Sequence, residues 1–158
     1  MIANNTYASH QDRTLQTDLL SSVGLWFNRI LLVAVSALFL TIAMRYLVHP
    51  EASAAEVNIV LGSTTAVTVA RVGFAGFPLG LAILLLGTLF VRRDILMGIY
   101  ITLVIVTIVT AVRLFGIAMD GATAYNLQLL RPEFAIIILS IIGLVLEHRR
   151  IRHSKIIS

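Results

Sequence analysis

The 158-residue chain contains no cysteine, which excludes a disulfide framework, a thiol nucleophile and a thiolate metal site at once. Lysine occurs once, at Lys155, so Schiff-base chemistry has no candidate in the body of the chain. Its four histidines, His10, His49, His148 and His153, are scattered. The last two are five apart among arginines, a poor spacing for metal ligation. HExxH, GxSxG and a phosphate-cradling glycine loop running into Lys-Ser/Thr are all missing. The sequence therefore calls for no metal and no cofactor, and no catalytic motif stands out. Charge is sparse too: Asp, Glu, Lys and Arg make up 13% of residues, against about 25% in ordinary soluble domains.

What fills the space is apolar. Hydrophobic residues account for 58% of the chain, and the mean hydropathy is +0.94. A helix crossing a bilayer takes about 20 mostly apolar residues, so this length holds four spans and no separate soluble domain. The spans read as residues 25–48, 72–91, 95–118 and 132–150. They form one all-α, four-helix transmembrane bundle over residues 24–150, with an N-terminal tail at 1–23 and a basic tail at 151–158. In the N-terminal tail, Leu15, Leu19, Leu20 and Val23 fall near one helical stripe, so an interfacial helix is the alternative to a mobile segment. Pro132 and Glu133 suit the first turn of the fourth helix, where a missing N–H costs nothing and a carboxylate meets the positive end of the dipole. "RRD" at 92–94 leaves room only for a tight turn between the second and third spans.

The net charge of +4 and isoelectric point near 10.1 would suggest nucleic acid in a soluble protein. The distribution argues for lipid instead. "EHRRIRHSK" follows directly on an apolar helix, where basic residues mark the cytoplasmic face and attract anionic headgroups. With the N-terminus inside, eight Lys and Arg fall on the inner side (Arg13, Arg29, Arg92, Arg93, Arg149, Arg150, Arg152, Lys155). Four fall outside, at Arg45, Arg71, Arg113 and Arg131. That bias places both termini in the cytoplasm and the chain in a bacterial inner membrane. "ASA" at 52–54 resembles a signal-peptidase site. The apolar run before it is longer than a signal core and follows a polar stretch, so it reads as a retained span.

Unusual residues gather at the outer side, where four arginines meet four acids, Glu51, Glu56, Asp120 and Glu133. Arg71 opens the second span, and Arg113 lies more than a turn inside the third. A charge at mid-membrane costs about 2.5–3.5 kcal/mol on insertion scales, so such residues usually face the interior and find partners. Thr110, Arg113 and Asp120 share one helical stripe, and Glu133, Ser140 and Glu147 share another. Gly73, Gly76 and Gly80, spaced by three and four, form a smooth strip that a neighbouring helix can approach closely. Pro78, between them, frees a carbonyl and kinks the helix. Residues 56–70, rich in Thr and Val and broken by Gly62, suit a short interfacial or re-entrant segment between the first two spans. Each feature also has a plainer reading: arginines snorkel, Glu133 caps a helix, and glycines merely pack.

"ARVGFAGFPLGLAILLL", a basic turn, "AVRLFGIAMDG" and then "RPEF" together resemble the bacterial proteins called domain of unknown function 4345. These are small four-helix membrane proteins with an arginine before a glycine pair at the second helix. They also carry an arginine near "DG" before the last helix and a glutamate opening it. The resemblance runs over about residues 38–146 and marks Arg71, Gly76, Arg113, Asp120, Gly121 and Glu133. Phe74-Ala75-Gly76 stands here where the family has adjacent glycines. The resemblance implies the fold and the charged group, and the family name supplies no activity.

Three functions fit these residues. The first is a non-enzymatic accessory or scaffold subunit that packs through its glycine strip against a membrane-protein partner or another copy of itself. The second is a binder or carrier of a small amphiphile, a lipid or a quinone, whose head is held by Arg71 and Arg113. The third is a membrane enzyme using Glu133 or Asp120 as an acid-base group. Membrane lipids are partners in every case, and nucleic acid in none.

Overall fold

The computed structural model describes the backbone of residues 3–157 and the side chains of residues 22–152. Among the described residues there is no strand, and four helices are long and apolar enough to cross a membrane: Ser22–Val48, Thr64–Val91, Ile95–Asp120 and Ala124–Arg152. The all-α four-helix class is thus the one the sequence calls for.

Helix α1 runs over Ala3–Val48. The stretch expected as a tail, 1–23, is its first part from Ala3 onward; no proline or glycine interrupts residues 3–23, so nothing stops the helix from propagating. The side chains of Leu15, Leu19 and Leu20 lie outside the described residues, as do Met1 and Ile2. The expected basic tail is likewise helical as far as Ile157. Along α1 the buried positions Gly24, Asn28, Leu31, Leu32, Val35, Ser36 and Ala43 keep helical spacing.

The chain divides into two compact units, residues 32–94 and residues 1–31 with 95–158. In the first, α1 is followed by α2 (Pro50–Ala55), which ends on Asn58 at φ 60°. Asn58 N–H bonds Ala55 O and Ile59 N–H bonds Ala54 O, the pairing that satisfies the last carbonyls of a helix around a left-handed residue. The second span then begins at Thr64, not 72. Ser63 caps it by accepting from Ala66 N–H at 3.1 Å, and α3 (Thr64–Ala70) runs straight on through Arg71. So only residues 50–63 form the segment between the first two spans, and 64–70 are the start of the second. Arg71–Gly76 is a π-helical turn, followed by α4 (Phe77–Leu86) and a second π turn, Gly87–Val91. Pro78 has no N–H for the carbonyl four residues back, and the wider turn just ahead of it is where the hydrogen bonding is rearranged.

The second unit is built on α5 (Ile95–Asp120) and α6 (Ala124–Ile157), with the early turns of α1. α5 stops at Gly121, whose φ of +97° a side chain would oppose and whose N–H bonds Ile117 O. Thr123 starts α6, its hydroxyl accepting from Asn126 N–H at 3.2 Å. The fourth helix therefore begins eight residues before Pro132, which sits inside it and not in its first turn. The cap at Thr123 overrides the proline as the starting signal, and Pro132 costs only the bond to Gln128 O on an exposed face. α5 buries Ile95, Gly98, Ile99, Thr102, Val106 and Thr110 on one stripe. Thr102 and Thr110 return their hydroxyls to the carbonyls of Gly98 and Val106, so neither donor is left bare in an apolar surrounding.

Candidate functional site

The acid and base singled out on the third and fourth spans meet. Arg113 donates to Glu133 Oε1 from both Nε and Nη2 at 2.8 Å, and Nη1 donates to Asn126 Oδ1 at 3.3 Å. Both charged side chains are mostly buried, and Glu133 Oε2 has no hydrogen-bond partner among the described residues. All three guanidinium nitrogens of Arg113 are thus committed to α6. Asn126 is the contributor that sequence reasoning missed, because it lies in the two turns that precede Pro132. Asp120, at the end of the same stripe of α5, is exposed and takes no part in this cluster. Arg113→Gln keeps one donor but leaves Glu133 without its counter-charge, and should lower unfolding stability by about 2 kcal/mol. An SDS-titration unfolding curve unchanged from wild type would contradict this clamp.

Arg71 belongs to the other unit. There its Nε donates to Leu47 O at 3.3 Å, tying the second span to the end of α1. In the same region Arg45 pairs with Glu56, the Tyr46 ring lies 5.0 Å from that of Phe74, and Tyr46 O–H donates to Ser53 O at 3.3 Å. These contacts hold α2 and the head of the second span against the end of α1. Gly73, Gly76 and Gly80 of that span are all exposed. A Cβ placed on Gly73 or Gly80 meets nothing within 4 Å, and one on Gly76 meets only Arg71 O at 4.0 Å.

A second polar cluster lies at the opposite end of α6, and sequence reasoning saw only its outline. Ser140 and Glu147, two members of the noted stripe, are buried, Glu147 at 2% exposure. Asn28 of α1, fully buried, donates from Nδ2 to Gly143 O at 3.2 Å and to Glu147 Oε2 at 3.3 Å. Both partners are acceptors, which fixes the end of the amide that carries the hydrogens. Arg150 closes on the same carboxylate, Nη2 to Oε1 at 2.6 Å and Nε to both oxygens at 3.2 Å. Gly143 makes the approach possible: its missing Cβ would lie 2.6 Å from Asn28 Oδ1 and 3.4 Å from Ile99 Cδ1. The available signal was Asn28 itself, a polar residue opening an apolar run one turn from Gly24 and Leu32. Beside it, the Arg29 guanidinium sits 5.4 Å from the centre of the Trp26 ring, a cation–π contact at the head of the span.

Four apolar helices of membrane-crossing length define a multi-pass integral membrane protein, and the two mostly buried carboxylates within them, Glu133 and Glu147, are each paired with an arginine. No family model matches the chain, and neither the curated proteins nor the solved structures contain a match to it.

Proposed function

We propose that this protein is a non-enzymatic accessory or scaffold subunit of a bacterial inner membrane, with both termini cytoplasmic. It packs through Gly76 and Gly80 against a helix of another membrane protein or of a second copy. The carrying observation is that these glycines are exposed, with no side chain of the described residues within 4 Å of where a Cβ would lie. Lipid gives no hydrophobic drive for helix association, so a surface that lets two backbones come close is what favours it. Exposed Val72, Phe77 and Ile83 flank the strip with bulk for a partner to pack on. Gly73 and Gly76 both lie inside the π turn, and Gly80 follows one turn later in α4. Kinship with domain of unknown function 4345 is part of this reading, on the motifs around Arg71, Arg113, Asp120 and Glu133.

The amphiphile reading at Arg71 and Arg113 has less support. Arg113 already gives a hydrogen bond from each guanidinium nitrogen to Glu133 or Asn126, and Arg71 gives its Nε–H to Leu47 O. The same ion pair weighs against Glu133 as an acid-base group, and Asp120 stands exposed outside the cluster.

Gly76→Leu and Gly80→Leu should reduce the partner-bound fraction about tenfold while leaving membrane insertion and unfolding stability unchanged. Native mass spectrometry of protein gently extracted from its own membranes reads both. Complexes of wild-type abundance in the two variants would refute the packing role.

A further inference from the structure

The last turns of α6 carry a shallow groove of about 280 Å³, lined by Leu144, Val145, His148, Arg149 and Arg152. Helical spacing builds it, since 145, 149 and 152 follow one another by four and three. Its two cations differ from the arginine between them. Arg150 is turned inward onto Glu147, whereas Arg149 and Arg152 are exposed and make no ion pair or hydrogen bond among the described residues. The nearest acid on the helix is Glu147, buried and already paired, so it does not repel an anion in the groove.

The same face continues up the helix as Val145, Ile141 and Ile138, all exposed. A stripe of bare apolar side chains therefore leads into two free guanidinium groups at the end of a membrane span. Guanidinium groups bind phosphate oxygens through charge-assisted hydrogen bonds, and basic sites at the ends of spans take phospholipid heads. A soluble phosphate would gain nothing from the stripe; a phospholipid would use both halves.

The geometry points to a site for one anionic phospholipid, its head phosphate between Arg149 and Arg152 beside His148 and an acyl chain along Val145, Ile141 and Ile138. This is independent of the packing role of the glycine strip. The test uses the full chain in nanodiscs of phosphatidylcholine with a minority of phosphatidylglycerol, released and weighed by native mass spectrometry. The wild type retains phosphatidylglycerol in preference to phosphatidylcholine, and R149Q/R152Q lowers that retention about tenfold. R92Q/R93Q removes equal charge from the turn between the second and third spans and leaves retention unchanged. Equal loss in both double variants would reduce the effect to a general basic collar and overturn the site. Displacement by millimolar inorganic phosphate would assign the groove to a free anion, and absence of any preference in the wild type would remove it altogether. Matching circular dichroism and unfolding curves confirm that the variants fold.

Discussion

Arg150→Leu lowers the unfolding free energy by about 3 kcal/mol, and the double variant Arg150→Leu/Glu147→Leu recovers most of that loss. The asymmetry follows from the burial of the two partners. Glu147 is 2% exposed and cannot reach water, so without Arg150 its charge is balanced only by the Asn28 amide. Arg150 keeps 39% of its side chain exposed, which sets the loss at the low end for a broken buried pair. Removing both charges leaves an apolar pair at a helix contact, and Asn28 Nδ2 retains Gly143 O. Unfolding by SDS titration of the purified chain, with the two single variants completing the cycle, gives the coupling directly. A single variant as stable as wild type would mean that Glu147 is not held by Arg150.

Gly143→Ala costs about as much, also close to 3 kcal/mol, although it adds one methyl group. That methyl would stand 2.6 Å from Asn28 Oδ1, well inside contact distance. The end of a long side chain usually gives way, but Asn28 is fully enclosed. Moving it means giving up the bonds to Gly143 O and Glu147 Oε2, so steric strain and a lost acceptor partner arrive together. Asn28→Ala in the Gly143→Ala background should relieve the steric part and leave only the polar loss. The same unfolding assay reads both variants. If Gly143→Ala proves neutral, α1 and α6 do not approach through this glycine.

The number and class of the helices could be read from the sequence because each span needs a long apolar run, and hydropathy reports that directly. The third span fits closely, since Gly121 marks its end in composition as well as in backbone. Two starts were misplaced for one reason: a capping side chain counts for more than local hydropathy. Ser63 begins a helix through a Thr- and Val-rich stretch that reads as a short interfacial or re-entrant segment, and Thr123 begins one ahead of a proline that looks like a first turn. That Arg113 and Glu133 belong to one outer-side charged group, with Arg71 and Asp120, was legible from their positions in the spans; which of the four would pair was not. Asn126 was not, because the misplaced start left it outside the helix. Nor was the Asn28–Glu147 cluster, since its members are 119 positions apart and no periodicity within one helix can reveal a meeting of two.

The π turn at Arg71–Gly76 has a consequence for how the second span can vary. A π turn holds one residue more than the α-helix it replaces, and one residue of α-helix is about 100° of rotation. The faces on either side of it are therefore indexed separately. Before the turn is over, Arg71 has reached back to Leu47 O and Phe74 to the Tyr46 ring. Beyond it, Ala82 and Leu85 are buried in a phase offset by that surplus residue. The head of the span can be fitted to the end of α1 without dictating where the lower half buries its leucines. It works as a coupling with two settings in one rod, and the loss of a single residue there would force both halves onto one.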